Sequence, residues 1–190
     1  TLKAHQFYLD GIQKIESGRD DEISSAINSF KKANALRPYY YWKAYHWLAT
    51  FNFTNSTEAL NDINIAIDLK PKEPELYALR SQIKLYLNDN QGALNDINWA
   101  LIFAPESPNY YLQRAQLLKN KFQLYEEAKF DCNRAITIDQ MNARPYYERG
   151  LLNLKLGLSD DACKDFNKAI SLGYTGWSME MQNCGIEPSR

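Results

Sequence analysis

Four Asp-x-Asn pairs, Asp62–Asn64, Asp96–Asn98, Asp131–Asn133 and Asp165–Asn167, are the first residues whose types and spacing suggest chemistry. A stack of carboxylates points at first to a metal site. On a helix, however, residues two apart face different sides, so no Asp and its Asn close on one ion. His5 and His46 are the only histidines, too few for a histidine metal cluster. The cysteines, Cys132, Cys163 and Cys184, have no C-x-x-C spacing. Neither phosphate-binding pattern, G-x-x-x-x-G-K or G-x-G-x-x-G, occurs. The expectation is a non-enzymatic chain with no catalytic residues, no metal and no cofactor. NFTNST carries glycosylation sequons at Asn52 and Asn55, which act only in a eukaryotic secretory pathway.

The second candidate is a run of rings. Residues 39–47 read YYYWKAYHW, six aromatics and a histidine in nine positions. Most such rings fill a core, but six on one short segment cannot all be buried, and exposed aromatics in a groove are candidate binding anchors.

Composition limits the alternatives. A length of 190 residues suffices for one domain whose core needs no metal or disulfide. A formal net charge of −1 gives no reason to expect nucleic acid or an anionic membrane as partner. No apolar run approaches the roughly 18–20 residues that span a bilayer, so no membrane insertion of this segment is expected.

The elements that position these residues follow from an internal repeat. AINSFKKANALRP, ALNDINIAIDLKP, ALNDINWALIFAP, AKFDCNRAITIDQ and ACKDFNKAISLGY align on Ala26, Ala59, Ala93, Ala128 and Ala162, with spacings of 33, 34, 35 and 34. Seven residues on stand Ala33, Ala66, Ala100, Ala135 and Ala169; between them lie Phe30, Ile63, Ile97, Cys132 and Phe166. Steps of four and three place all three positions on one helical face. Pro38, Pro71 and Pro105 then stop the helix. Upstream, a second amphipathic segment repeats a Tyr, an Arg three residues on and then a small residue. These are Tyr77, Arg80 and Ser81; Tyr111, Arg114 and Ala115; Tyr146, Arg149 and Gly150. Two antiparallel helices of about 14 residues, repeated, predict an all-α solenoid.

This pattern resembles the tetratricopeptide repeat (TPR) family over nearly the whole chain. The resemblance implies a right-handed superhelix of about five helix-turn-helix repeats in a single domain, 1–190. The repeats fall at about 4–40, 41–73, 74–107, 108–142 and 143–174, with a short C-terminal capping helix in about 175–190. Departures are a turn lengthened by about three residues within GRDDEISS, and a fourth repeat ending IDQMN without proline. The family's concave face is lined by the first helix of each repeat. Matching Tyr45 to the repeated Tyr puts Leu48 and Ala49 at the Arg and small positions. Counting from Pro38 shifts this by one and turns Trp42 and Tyr45 to the groove. In both registers His46 lies on or beside that face. The groove residues carried over are Trp42, Tyr45, His46, Gln82, Tyr86, Asn109, Gln113, Gln116, Arg144, Tyr147 and Glu148. Tyr8 and Ile12 stand where a clamp for chaperone carboxylates would need Lys and Asn, which disfavours that role. Relatives often carry the repeated Asp against a neighbouring helix, and Arg80, Arg114 and Arg149 are its candidate partners here.

Cys132 sits at a core position and is expected as a buried thiol. The order ACKDFNKAISLGY followed by a Cys resembles the last repeat of many exported bacterial TPR proteins. A helix returning across that repeat brings Cys184 near Cys163; a disulfide and two buried free thiols both remain open. The resemblance leans toward an exported, periplasmic or outer-membrane-associated protein.

The expected function is a protein-interaction scaffold that binds a partner peptide or helix in the concave groove. The alternative is a structural module that mediates intramolecular packing or self-association within a larger protein.

Overall fold

The computed structural model describes residues 2–53 and 55–186. Every described repeat is a pair of antiparallel helices, and no strand occurs among the described residues. The chain divides into two compact units, residues 1–103 and 104–190, each taken by itself below.

The first unit holds three hairpins: α1 (Leu2–Glu16) with α2 (Ile23–Leu36), α3 (Trp42–Phe51) with α4 (Ser56–Leu69), and α5 (Pro74–Tyr86) with α6 (Asn90–Phe103). The repeated alanines explain the pairing. Ala26, Ala33, Ala59, Ala66, Ala93 and Ala100 are fully buried, and Phe30, Ile63 and Ile97 between them are buried too. A methyl in place of a longer side chain lets the facing helix approach, and the large residue between fills the layer. Extra residues in the first turn form a 3-10 turn, Asp20–Glu22. Gly18 (φ 67°) and Asn88 (φ 61°) take left-handed backbone just after the first helix, a standard helix stop.

The second unit holds α7 (Pro108–Leu117) with α8 (Tyr125–Ile138), α9 (Ala143–Lys155) with α10 (Ser159–Ser171), and a short helix α11 (Met179–Gln182). The spacing of 35 between Ala93 and Ala128 leaves one residue over, and α7 continues into a π-helical turn, Leu118–Phe122, which accommodates an extra residue. Gln123 (φ 57°) and Gly157 (φ 77°) end the first helices. Pro74 and Pro108 open α5 and α7 at the position where proline's missing N–H costs nothing. In α9 the proline comes two residues later, as Pro145, and the helix is capped by Asn142, whose side chain accepts from the Arg144 amide at 3.1 Å.

At the C-terminal end Met181 is fully buried against Ala162 and Phe166, so α11 closes the apolar edge of the last hairpin. A disulfide joins Cys163 of α10 to Cys184, with 5.3 Å between Cα atoms. Of the segment read as a cap, residues 187–190 lie outside the described residues.

Candidate functional site

The register of α3 decides which rings face outward. Tyr45 is 7% exposed, like Tyr77, Tyr111 and Tyr146 at 9%. Its phenol meets the backbone of Tyr39, six residues earlier, where the Tyr77 hydroxyl donates to the Pro71 carbonyl and that of Tyr146 to Gln140. Tyr45 is therefore the repeated Tyr, with Leu48 and Ala49 at the Arg and small positions. The helix ends at Phe51, so α3 is three residues shorter than α5.

This register turns Trp42, Lys43, His46 and Trp47 toward α1. With Tyr8, Ile12, Ile15 and Glu16 they enclose a cleft of about 250 Å³ between the two first helices. Its walls are built by stacking: Trp47 lies on Phe51 at 5.7 Å between centroids and tilts against His46 at 5.6 Å. Tyr8 stacks on the buried Tyr41 at 4.7 Å, which fixes the opposite side. Burial, helped by the Lys43 cation, holds the His46 imidazole below its usual range against the pull of Glu75. A neutral imidazole offers one donor and one acceptor. The cleft thus combines an apolar aromatic wall, a hydrogen-bonding ring and opposite charges, Glu16 and Lys43.

The structure brings only Trp42 and His46 of the expected groove residues to this cleft. Tyr45 lines a separate cleft with α2 and α4. Gln82 is exposed on α5, and Tyr86, 56% exposed, meets Phe53 edge-on at 5.5 Å. In the second unit Gln116 and Lys119 both donate to Glu148, at 2.6 and 2.7 Å. Glu148 is buried, so those polar groups are committed to each other. Tyr147 stacks on Tyr174 at 4.4 Å, Asn109 and Arg144 are exposed, and Gln113 is half-buried with contacts of its own. Sequence reasoning did not single out Trp47, Lys43, Ile15 or Glu16 for this site. Trp47 was legible, since it lies one residue beyond His46 in the same aromatic run, but only the register shows which side it takes.

Three of the four repeated carboxylates are structural. Arg80 makes a two-pronged pair with Asp96 at 2.9 and 2.7 Å, Arg114 with Asp131 at 2.8 and 2.7 Å, and Arg149 with Asp165 at 2.9 and 2.6 Å. No group of three or more potential metal ligands occurs among the described residues. Among them, too, no helix is long and apolar enough to cross a membrane.

Comparison with known proteins agrees with this architecture. The tetratricopeptide repeat family model matches residues 143–172, the α9–α10 hairpin. FK506-binding protein 59 of Drosophila melanogaster is 41% identical over 46 residues, which is 24% of this chain and 10% of that protein's length. Among solved structures, MamA (41-end) from Desulfovibrio magneticus RS-1 superposes with a TM-score of 0.78 at 14% identity, covering 90% of this chain and 94% of that one. YrrB, described as a TPR protein with an unusual peptide-binding site, superposes with a TM-score of 0.70 at 16% identity, covering 88% and 84%. At such identities the likeness is one of fold. Residues 143–172 match a tetratricopeptide repeat, and the five-fold recurrence of the paired helices agrees with a tetratricopeptide-repeat fold for the chain.

Proposed function

We propose that this chain is a non-enzymatic protein-interaction scaffold that holds an extended segment of a partner protein on its first-helix face, anchored in the cleft of Trp42 and His46. The observation that carries this reading is the cleft itself. Its volume of about 250 Å³ lies below the roughly 300–1,000 Å³ of small-molecule sites, and so suits one apolar or aromatic side chain of a peptide. Trp42, Trp47, Ile12 and Ile15 supply apolar contact, and the neutral His46 ring hydrogen-bonds the peptide backbone beside it. Aromatic anchors in a part-desolvated pocket contribute most of the energy in such interfaces. The peptide-binding description of YrrB, a similar fold, supports the same class of ligand.

The test is selection from a displayed random-peptide library on immobilised protein, wild type beside Trp42→Ala/His46→Ala. Both substituted side chains lie at the cleft, so the variant should keep its helical circular dichroism. Enrichment of apolar- or aromatic-centred peptides by wild type, and their loss on the folded variant, is the expected result. Equal enrichment on both proteins would remove the site from this cleft.

A further inference from the structure

In the third and fifth hairpins one arginine ties three groups together. Arg80 pairs with Asp96, donates through Nη1 to Asn64 of the preceding hairpin at 2.8 Å, and lies 5.5 Å from the ring centroid of Tyr77. Arg149 does the same with Asp165, Asn133 at 2.7 Å and Tyr146 at 5.5 Å. The second hairpin keeps the carboxylate as Asp62 and the ring as Tyr45, but its arginine position is Leu48, which is 3% exposed. Asp62 makes no hydrogen bond or ion pair among the described residues. Where the guanidinium would lie there is an open cleft of about 570 Å³, lined by Lys31, Asn34, Tyr45, Leu48, Glu58 and Asp62 among others.

A second departure coincides with the first. The position eight residues after the leading alanine is Ile67 in the second hairpin and Leu101 in the third, but Asn34 in the first. Asn34 is 7% exposed, and neither its Oδ1 nor its Nδ2 has a partner among the described residues. A buried amide left unpaired is costly, and the Asn34 carbonyl and the Asp62 carboxylate are two acceptors lining one cleft, although the place that Asn64 and Asn133 hold for Arg80 and Arg149 is taken here by Lys31.

We propose that this cleft is a binding site for a guanidinium group, the side chain of an arginine in a partner polypeptide, held by Asp62 and Asn34 over the Tyr45 ring. The site lies on α2, α3 and α4 and is independent of the Trp42–His46 cleft, so either stands if the other fails. Fork-shaped pairing with Asp62 uses the geometry seen at Asp96 and Asp165, and Glu58 adds a second negative charge that offsets the Lys31 cation lining the same cleft.

The test is an NMR titration of the whole isotope-labelled chain with Nα-acetyl-arginine methylamide, reading the Asn34 side-chain amide in wild type and the backbone amides of Tyr45 and Asp62 in every protein, variants included. The probes compared with it are the matching lysine and citrulline derivatives and free L-arginine. Saturable shifts are expected with the arginine derivative, at least tenfold weaker binding in Asp62→Asn, and none with citrulline. Asn34→Ile restores the residue found at position 67; it should weaken binding several-fold while melting no lower than wild type, which keeps the test valid should Asp62→Asn disturb the fold. Absence of saturable shifts, or equal binding by both variants, would overturn the site. Lysine binding within twofold of arginine would overturn the guanidinium assignment, and tighter binding of free arginine the polypeptide source.

Discussion

Gly150 of α9 lies so close to Phe166 of α10 that a Cβ on the glycine would stand 2.5 Å from Cε1 of the ring. Gly11 and Phe30 repeat the relationship at the same 2.5 Å in the first hairpin. Where the large position is instead Ile63 or Ile97, the small position is Ala49 or Ser81. Side-chain volume is thus balanced across these four hairpins.

This balance predicts the sign of a substitution. On helix propensity alone Gly150→Ala would gain up to about 1 kcal/mol. Overpacking against Phe166 should instead make it destabilising, by about 1–3 kcal/mol. Adding Phe166→Ile should recover most of the loss, a non-additive pair visible in urea denaturation. Simple addition of the two losses would show that the contact does not set the spacing.

Asp165 is buried and receives both Arg149 and the Asn153 amide, the latter at 3.0 Å. Arg149→Ala leaves a buried carboxylate without its cation, and the expected cost is about 3 kcal/mol. Arg149→Lys should recover only part, since an ammonium cannot make the two-pronged contact. Thermal melts of the two variants check this; equal stability of Arg149→Ala and wild type would refute it.

Asp62 gives a pH dependence of defined sign. Burial, with the nearby Glu58, pushes its carboxyl up to about 6, against the pull of Lys31. The native chain therefore keeps a proton that the unfolded chain, with an ordinary aspartate near ~3.9, has already lost. Stability from this group falls as pH rises from about 4 to about 6, and the penalty is complete above that range. Asp62→Asn should gain about 1 kcal/mol at neutral pH, after allowance for solvent screening of a half-exposed group, and nothing at the acid end of the range. The difference in melting temperature between variant and wild type, followed with pH, reads this directly. A difference constant across the range would contradict it.

The cysteines should separate by reactivity. Burial, with Glu148 and Asp131 nearby, pushes the Cys132 thiol up to about 12, and Cys163 and Cys184 are joined. Mass spectrometry after alkylation of the native, unreduced chain should find no label; mild reduction should expose two sites, and Cys132 should react only on unfolding. Reduction opens a loop spanning a sequence separation of 21 and should cost about 3 kcal/mol on the chain-entropy account. It should also loosen the docking of Met181. Labelling of Cys163 or Cys184 before reduction would contradict the pairing.

How much of this was legible without coordinates depends on periodicity. The alanines at 26, 59, 93, 128 and 162, with the large residue four positions on, carry the helix pairs because a helix face repeats at that spacing whatever surrounds it. The partners of Asp96, Asp131 and Asp165 followed from the family resemblance, which sets the repeated Asp against a neighbouring helix. The α3 site was less legible because register is a one-residue matter. A Pro38 count and a Tyr45 match differ by one position, and only the buried Tyr45 ring with its Tyr39 contact decides between them. Glu148 was read as a groove residue because its place on α9 is a first-helix position; the π turn that brings Lys119 to it has no signature beyond one surplus residue. Asn34 drew no notice, since an isolated asparagine in a helix acquires meaning only once its neighbours are known to leave it unpaired.

The central claim is that Trp42 and His46 form a peptide anchor, and calorimetric titration of the most enriched selected peptide tests it most directly. Wild type and Trp42→Ala/His46→Ala, shown to be equally helical, are titrated under the same conditions. At least a tenfold rise in Kd for the variant is predicted, equivalent to about 1.4 kcal/mol or more. A Kd unchanged within twofold would contradict the account.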